Sequence, residues 1–405
     1  MMNLKNKKIW AWLFSLSLSL GLTAISGCSM SNNTTTENDS ANSQINSNES
    51  ISESIYKYEI TLQNNDSNLI KFISENPIKT SIYENISEEE DSKFENNRLR
   101  VKSGYNTLDK NEKLIYDAIV CCVNNLDNSQ NKNYDLKIST EKSREEFSKN
   151  LNTNIRYKIL RAVENDYPEF FVFGSSNVGI FVDENNKIKI AIYTYFSKDD
   201  MLNKRKELDK KSDEILKKLK IDEIKDTRKK VEAIYNYMCD NCEYYGEEDF
   251  EENKYPEWLK ENNITNAKFL NSYAFNSYSA LCKGKAACGG VTRAFQLLLN
   301  KAGIDCRVVI NNEHTWNIVK IDNKWICIDV TWDLDEKIED RCWFDFDVNK
   351  LKGISLLAHS IMEPYGKRNT KPFNLKLPSS GVKFRFINNP EAKKLAEYNG
   401  HQYIE

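Results

Sequence analysis

Three short stretches hold the residue types that thiol chemistry needs. In Gly284-Lys285-Ala286-Ala287-Cys288-Gly289-Gly290 a cysteine stands directly ahead of a helical pattern, Val291, Phe295, Leu298 and Ala302, with Gly303 at the C-terminal cap position. That spacing predicts Cys288 at or just before a helix N-terminus. Unpaired N–H groups and the helix dipole favour an anion there and lower a thiol pKa. The same N–H groups are candidate oxyanion donors. The second stretch is His314-Thr315-Trp316-Asn317, and the third is Asp329-Val330-Thr331-Trp332-Asp333. A thiol, an imidazole and a carboxylate in this order are the parts of a nucleophile, a base and the acid that orients the base.

The elements that must bring them together are also legible. His314 to Ile321 and Trp325 to Trp332 read as two strands joined by a tight turn at Asp322-Asn323. With a two-residue turn Ile321 pairs with Lys324, His314 faces Thr331, and Trp316 faces Asp329. His314 and Asp329 then share a face as diagonal neighbours, about 7–8 Å apart at the backbone and within side-chain reach. A three-residue turn without a bulge would put them on opposite faces, so the contact depends on register.

Each residue has a bland reading as well. A cysteine in an apolar segment is usually a small core residue, which is the reading for Cys282, Cys306, Cys327 and Cys342. Cys288 differs because Lys, Gly and Ala surround it. A lone strand histidine is more often scaffold, whereas a buried strand Asp is rare without a partner. All three in serial order favour the catalytic reading. Cys239-Asp240-Asn241-Cys242 is a C-x-x-C at the end of a helical pattern, without the further ligands a structural zinc needs, and reads as incidental thiols ahead of a redox or structural disulfide and of a metal site. His359, in an Ala-His-Ser context, reads as packing ahead of a supporting role at the site.

The 405 residues allow about two folded units plus appendages. With 57 Lys+Arg against 60 Asp+Glu the formal charge is −3, which argues against nucleic acid as a partner. Ten cysteines beside three histidines direct attention to where those residues sit. Lys5, Lys7 and Lys8 precede an apolar run from Ile9 to Leu22 that is too short to span a bilayer, the pattern of a secretory signal peptide. Ile25-Ser26-Gly27-Cys28 then resembles the lipobox of bacterial lipoproteins. That resemblance implies cleavage after residue 27, lipid attachment at Cys28, and an extracytoplasmic protein anchored to the bacterial cytoplasmic membrane. Cleavage there takes the formal charge from −3 to −6, so acyl chains rather than charge would hold the membrane. Residues 28–55 are Ser-, Asn-, Thr- and acid-rich, the composition of a disordered tether.

Residues 56–220 read as an α/β accessory region with its core at 101–200. Tyr56 to Leu62 alternates like a strand. Asp109 and Glu112 form a capping-box pattern ahead of Ile115, Ala118, Cys122 and Leu126. A second helix covers about 143–165 and is broken by Asp166-Tyr167-Pro168-Glu169. Val178–Asp183 and Ile188–Phe196 form a hairpin, and 198–220 a solvated helix with a thin apolar stripe at Leu208, Ile215 and Leu219. Nothing there combines nucleophile, base and acid, so the region reads as structural or substrate-positioning. The tail, 366–405, has a strand-like piece at Val382 to Ile387.

The stretch from about 225 to 365 resembles the transglutaminase-like superfamily, the papain-like group with a "GKAVCEGYA…HAWN…VDVTWD" pattern, on the three motifs quoted above. Asp166-Tyr167-Pro168-Glu169 looks like the "DNPELF" element often found upstream. The resemblance implies an α+β fold, a nucleophile helix packed on an antiparallel sheet, as a catalytic domain over 221–365. It implies Cys288 as nucleophile, His314 as base and Asp329 as orienting acid. Tyr278, in Ser277-Tyr278-Ser279-Ala280-Leu281, is implied to line the site or assist the oxyanion hole, with Trp316 and Trp332 as further lining. Ala287, Gly289 and Val291 depart from the pattern, and an acidic insertion at 246–262 carries Trp258. The chemistry implied is acyl transfer or hydrolysis at a protein or peptide amide through a thioester, needing no metal or organic cofactor. The competing class is a silent module on the same fold that binds peptide or cell wall.

Overall fold

The computed structural model describes residues 55–62, 67, 69–71, 103–124, 130–131, 134–141, 153–170, 178–194, 196–245, 274–310, 314–362 and 385–387. The expected leader, Cys28, the tether up to residue 54, the insertion at 246–262 and most of the tail lie outside them. No helix among the described residues is long and apolar enough to cross a membrane.

The N-terminal elements are β1 (Ile55–Leu62), α1 (Ser103–Asn106), α2 (Lys110–Asn124), β2 (Gln130–Asn131), β3 (Tyr134–Glu141), α3 (Thr153–Asp166), β4 (Val178–Val182) and β5 (Ile188–Thr194). The strands form an antiparallel sheet in the order β2-β3-β1-β5-β4. The expected hairpin is β4–β5, with Val182 opposite Ile188. The expected capping box closes reciprocally. Asp109 N–H donates to Glu112 Oε2 and Glu112 N–H to Asp109 Oδ1, both at 2.9 Å. Helix α3 ends at Asp166 as the following Tyr167-Pro168 demands; positions 143–152 of the expected helix lie outside the described residues. Asp166, fully buried, accepts from the backbone N–H groups of Gly104 and Tyr105, the Tyr116 hydroxyl and the Asn165 amide, which ties α1 and α2 to the end of α3.

The chain continues through α4 (Lys198–Lys218), α5 (Thr227–Asn241), the short β6 (Glu243–Tyr244), a π-helical turn at Ser279–Lys283, β7 (Lys285–Ala286) and α6 (Cys288–Lys301). It then runs into β8 (Cys306–Ile310), β9 (Thr315–Ile321) and β10 (Lys324–Ile328), a three-stranded antiparallel sheet in the order β10-β9-β8. A 3-10 turn at Val330–Asp333, α7 (Gly353–Ala358), β11 (Ser360–Met362) and β12 (Arg385–Ile387) complete the described chain. β11 and β12 pair in parallel, as do β6 and β7.

Helix α6 is the centre of this half and packs on β8, β9 and α5. The sequence stripe of Val291, Phe295 and Leu298 is buried, but so are Ala294, Leu297 and Leu299, because the helix is covered on several faces. Gly303, at φ 78°, takes the left-handed position just past the helix end. Helix α3 meets α6 from the accessory side. Arg293 Nη2 pairs with Glu164 at 2.9 Å, and Gln296 Nε2 donates to the Asn165 carbonyl at 2.8 Å. One apolar cluster runs from Ile60, Ile119 and Ile159 to Ile234, Phe295 and Val319, so the accessory and central parts share a core. The chain is thus α+β, a buried helix on an antiparallel sheet.

Candidate active site

The β9–β10 turn has the length the pattern requires. Asp322 and Asn323, both at positive φ, form a two-residue turn; Ile321 pairs with Lys324 and the ladder runs to Asn317 opposite Ile328. Beyond that point the expectation of a strand through Trp332 fails. β10 ends at Ile328, and Asp329 becomes the N-cap of the 3-10 turn, its Oδ1 accepting from Thr331 N–H at 2.9 Å. An Asp followed by Val-Thr can satisfy its own turn, and that local hydrogen bond outcompetes one more rung. Asp329 still reaches His314: Nε2–H donates to Asp329 Oδ2 at 2.5 Å, with both residues buried.

Cys288 is the first residue of α6, with Ala287 as an N-cap that offers no capping side chain. The thiol interacts with the His314 imidazole and with the Thr315 side chain. Because Nε2 is committed to Asp329, Nδ1 is the ring nitrogen left for the thiol. Helix and strand are locked beside this contact, since Thr292 Oγ1 donates to the Thr315 carbonyl at 3.1 Å and Asn317 Nδ2 to the Thr292 carbonyl at 3.2 Å.

The electrostatics follow from this geometry. Burial pushes the Cys288 thiol up, but the imidazole, by hydrogen bond and charge, and Thr315 outweigh it, leaving the thiol below its ordinary range. Burial pulls His314 down, and the Asp329 charge and hydrogen bond overcome it, raising the imidazole to about 10. Burial opposes ionisation of Asp329 too, yet His314 and then His359 hold it well below the usual carboxylate range. A depressed thiol beside a raised imidazole is the signature of a thiolate–imidazolium pair.

Of the other expected lining residues, Trp332 lies in one apolar cluster with Cys288, Trp343 and Ala358. Trp316 stacks beside His314 at 6.2 Å between centroids. Tyr278 is elsewhere: its hydroxyl donates to Glu207 Oε2 at 2.6 Å and its ring lies under Lys204, in the main core cluster. The segment around it, not its side chain, borders Cys288. Ala287 N–H donates to the Ala274 carbonyl at 2.9 Å, and Gly290 lets that segment lie flush on α6. Gly289 has a related role under Phe275, whose ring atom would sit 2.9 Å from an added Cβ.

Two residues were not assigned to the site from sequence. Tyr244, on β6, has its hydroxyl against both the backbone and the thiol of Cys288; burial first and then Cys288 push its pKa well up. Its only sequence mark is an aromatic just after the C-x-x-C, because the β6–β7 pairing that carries it to Cys288 is parallel and long-range. His359, read from sequence mainly as packing, donates through Nε2 to Asp329 Oδ2 at 3.0 Å. The C-x-x-C itself ends α5 as two buried thiols with no disulfide between them; Cys282 is half-buried against the main core cluster, whereas Cys342 is exposed, contrary to its core reading.

His314, Asp329 and His359 bring ligand-capable atoms within 4.8 Å of one another. Two ligands of one tetrahedral zinc at ~2.0–2.1 Å lie roughly 3.3 Å apart. The 2.5 Å between His314 and Asp329 is shorter, so these residues fit a proton between them rather than a metal.

Residues 216–330 match the family profile described as the transglutaminase-like superfamily. A solved structure titled "Crystal structure of a TGase" is similar at 14% identity and a TM-score of 0.27, over 55% of this chain and 59% of that one. The match therefore spans less than two thirds of that protein. No curated protein matches the chain.

Proposed function

We propose, from the premise that residues 216–330 form a transglutaminase-like domain, that the protein is a cysteine-dependent acyl transferase or hydrolase acting on protein or peptide amides. The Cys288 thiolate attacks the amide carbonyl carbon, forming a C–S bond and an oxyanion. The Cys288 backbone N–H, at the start of α6, and the Tyr244 hydroxyl, which lies against Cys288, are the donors we assign to that charge. Collapse breaks the C–N bond, and the leaving amine takes its proton from the His314 imidazolium. Water or a primary amine then attacks the thioester while His314 receives the proton; the C–S bond breaks, the thiolate–imidazolium pair is restored, and an acid or a new amide is released. Asp329 keeps the imidazole in the tautomer this cycle needs.

The observation that carries the reading is the His314–Asp329 hydrogen bond of 2.5 Å, with the same imidazole against the buried thiol of Cys288 at the start of α6. A glutamine-containing peptide with an added primary amine tests it: amide product means transfer, glutamate means hydrolysis, and neither product refutes the reading. We also propose an extracytoplasmic, membrane-anchored lipoprotein, supported by Ile25-Ser26-Gly27-Cys28 after the apolar run. Palmitate labelling that persists in Cys28→Ala would contradict it.

A further inference from the structure

His359 is an anomaly unless it acts. It is fully buried at the C-terminal end of α7, enclosed by aromatic rings. Trp343 stacks on it at 4.8 Å and 12°, and Trp332, Phe346 and Trp316 close round it at 4.6–5.1 Å. An apolar cage of this kind would accept a phenylalanine without desolvating two ring nitrogens, so the imidazole must recover that cost through hydrogen bonds. Two acceptors lie against it. Nδ1 lies 2.9 Å from the Ser355 carbonyl, one turn back in α7, and Nε2 lies 3.0 Å from Asp329 Oδ2.

Oδ2 is the same oxygen that accepts from His314. A carboxylate held well below its usual range is an acceptor only, so both imidazoles present an N–H to it. With Oδ1 fixed by Thr331 N–H, Asp329 has three donors and one orientation. The titratable groups acting on His359 are Asp329 and His314. Burial first, with the His314 charge, outweighs the contacts to Asp329 and Ser355 and leaves the ring below its ordinary range, a neutral imidazole whose one N–H goes to the charged Asp329.

We propose that His359 is a positioning residue for the Cys288 chemistry: its Nε2–H, on a ring held in place by the aromatic cage, fixes the carboxylate that orients His314. The site is thus a chain of four, Cys288–His314–Asp329–His359, the last supplied from outside the segment that matches the transglutaminase-like profile. This rests on the proposed role of Cys288.

The test compares His359→Gln with His359→Asn in the full chain. A glutamine amide reaches the place of Nε2, and an asparagine amide that of Nδ1. Both are neutral and similar in polarity, so a purely structural role treats them alike. The measurement is the pH profile of Cys288 alkylation by iodoacetamide, with thermal melting run in parallel. Without a donor on Asp329 the imidazole is held less firmly and the thiolate loses support. His359→Asn is expected to move the acid limb up by about one pH unit and slow alkylation at pH 6 about tenfold, the size of one lost charged hydrogen bond. His359→Gln is expected to stay near the wild-type profile. Equal profiles for the two variants overturn the proposal, whatever their melting temperatures. If the wild type itself shows no enhanced reactivity, the reading of Cys288 fails instead, so the two failures are distinguishable.

Discussion

Gly290→Ala should damage the site through the backbone alone. A Cβ built at residue 290 lies 2.5 Å from the Ala274 carbonyl oxygen, 2.9 Å from that of Asn276 and 2.8 Å from Ala286 Cβ. Ordinary carbon–oxygen contact begins near ~3.3 Å, so the segment at 274–276 must retreat by roughly 0.8 Å. Overpacking of this kind costs about 1–3 kcal/mol. The same Ala274 carbonyl accepts the Ala287 N–H, which sets the residue before Cys288, so the retreat carries the Cys288 amide with it. A displacement approaching 1 Å at a reacting group costs about 100-fold in rate. Gly303→Ala is the control. At φ +78° it strains the backbone by about 1 kcal/mol but meets nothing within 4 Å and lies at the far end of α6. Urea unfolding and iodoacetamide alkylation at pH 6 separate the two. Both variants should lose stability, and only Gly290→Ala should lose reactivity, by tenfold or more. Gly290→Ala alkylating at the wild-type rate would refute the reasoning.

Three further outcomes follow from the site and its support. His314, raised from near 6.5 to about 10, contributes stability present in full below 6.5 and lost as pH climbs through 10. Asp329, depressed from 3.8, contributes stability present above that value and lost as pH falls toward its folded pKa. The stability gap between wild type and Asp329→Asn should therefore be widest between about pH 4 and 6.5 in urea titrations; a gap that keeps growing above pH 8 contradicts the pairing. Tyr244→Phe keeps the ring and removes the hydroxyl beside Cys288, so amide turnover should fall at least about tenfold with an unchanged melting temperature. Asp166→Asn places an NH₂ among four donors and should cost about 1–3 kcal/mol in urea unfolding, with no change unless α3 shifts in Cys288 alkylation.

The parts of the site legible in sequence are those set by local rules. The helix start at Cys288 follows from apolar spacing and a glycine past its end, and the His314–Asp329 contact follows from a two-residue turn that fixes register. The strand expected to carry Asp329 stopped early because an Asp two residues before Thr331 N–H can cap its own turn. What stayed hidden is long-range. Tyr244 reaches Cys288 through a parallel two-residue pairing, and His359 reaches Asp329 from a short helix beyond the matched segment. Tyr278 was carried over by resemblance, but Glu207 on α4 offers its hydroxyl a charged acceptor away from Cys288. Gly289, which departs from the family pattern, and Gly290, which keeps it, are explained by the close approach of Phe275 and the Ala274 carbonyl, neither of which is near them in sequence.

The central claim is that Cys288 is a thiolate held by His314. Its most direct measurement is the rate of Cys288 alkylation by iodoacetamide at pH 6, against free cysteine and against His314→Ala. A thiol held below its ordinary pKa by the imidazole should react well ahead of free cysteine, and His314→Ala should abolish the advantage. A Cys288 that reacts no faster than free cysteine, and is indifferent to the loss of His314, would contradict the account.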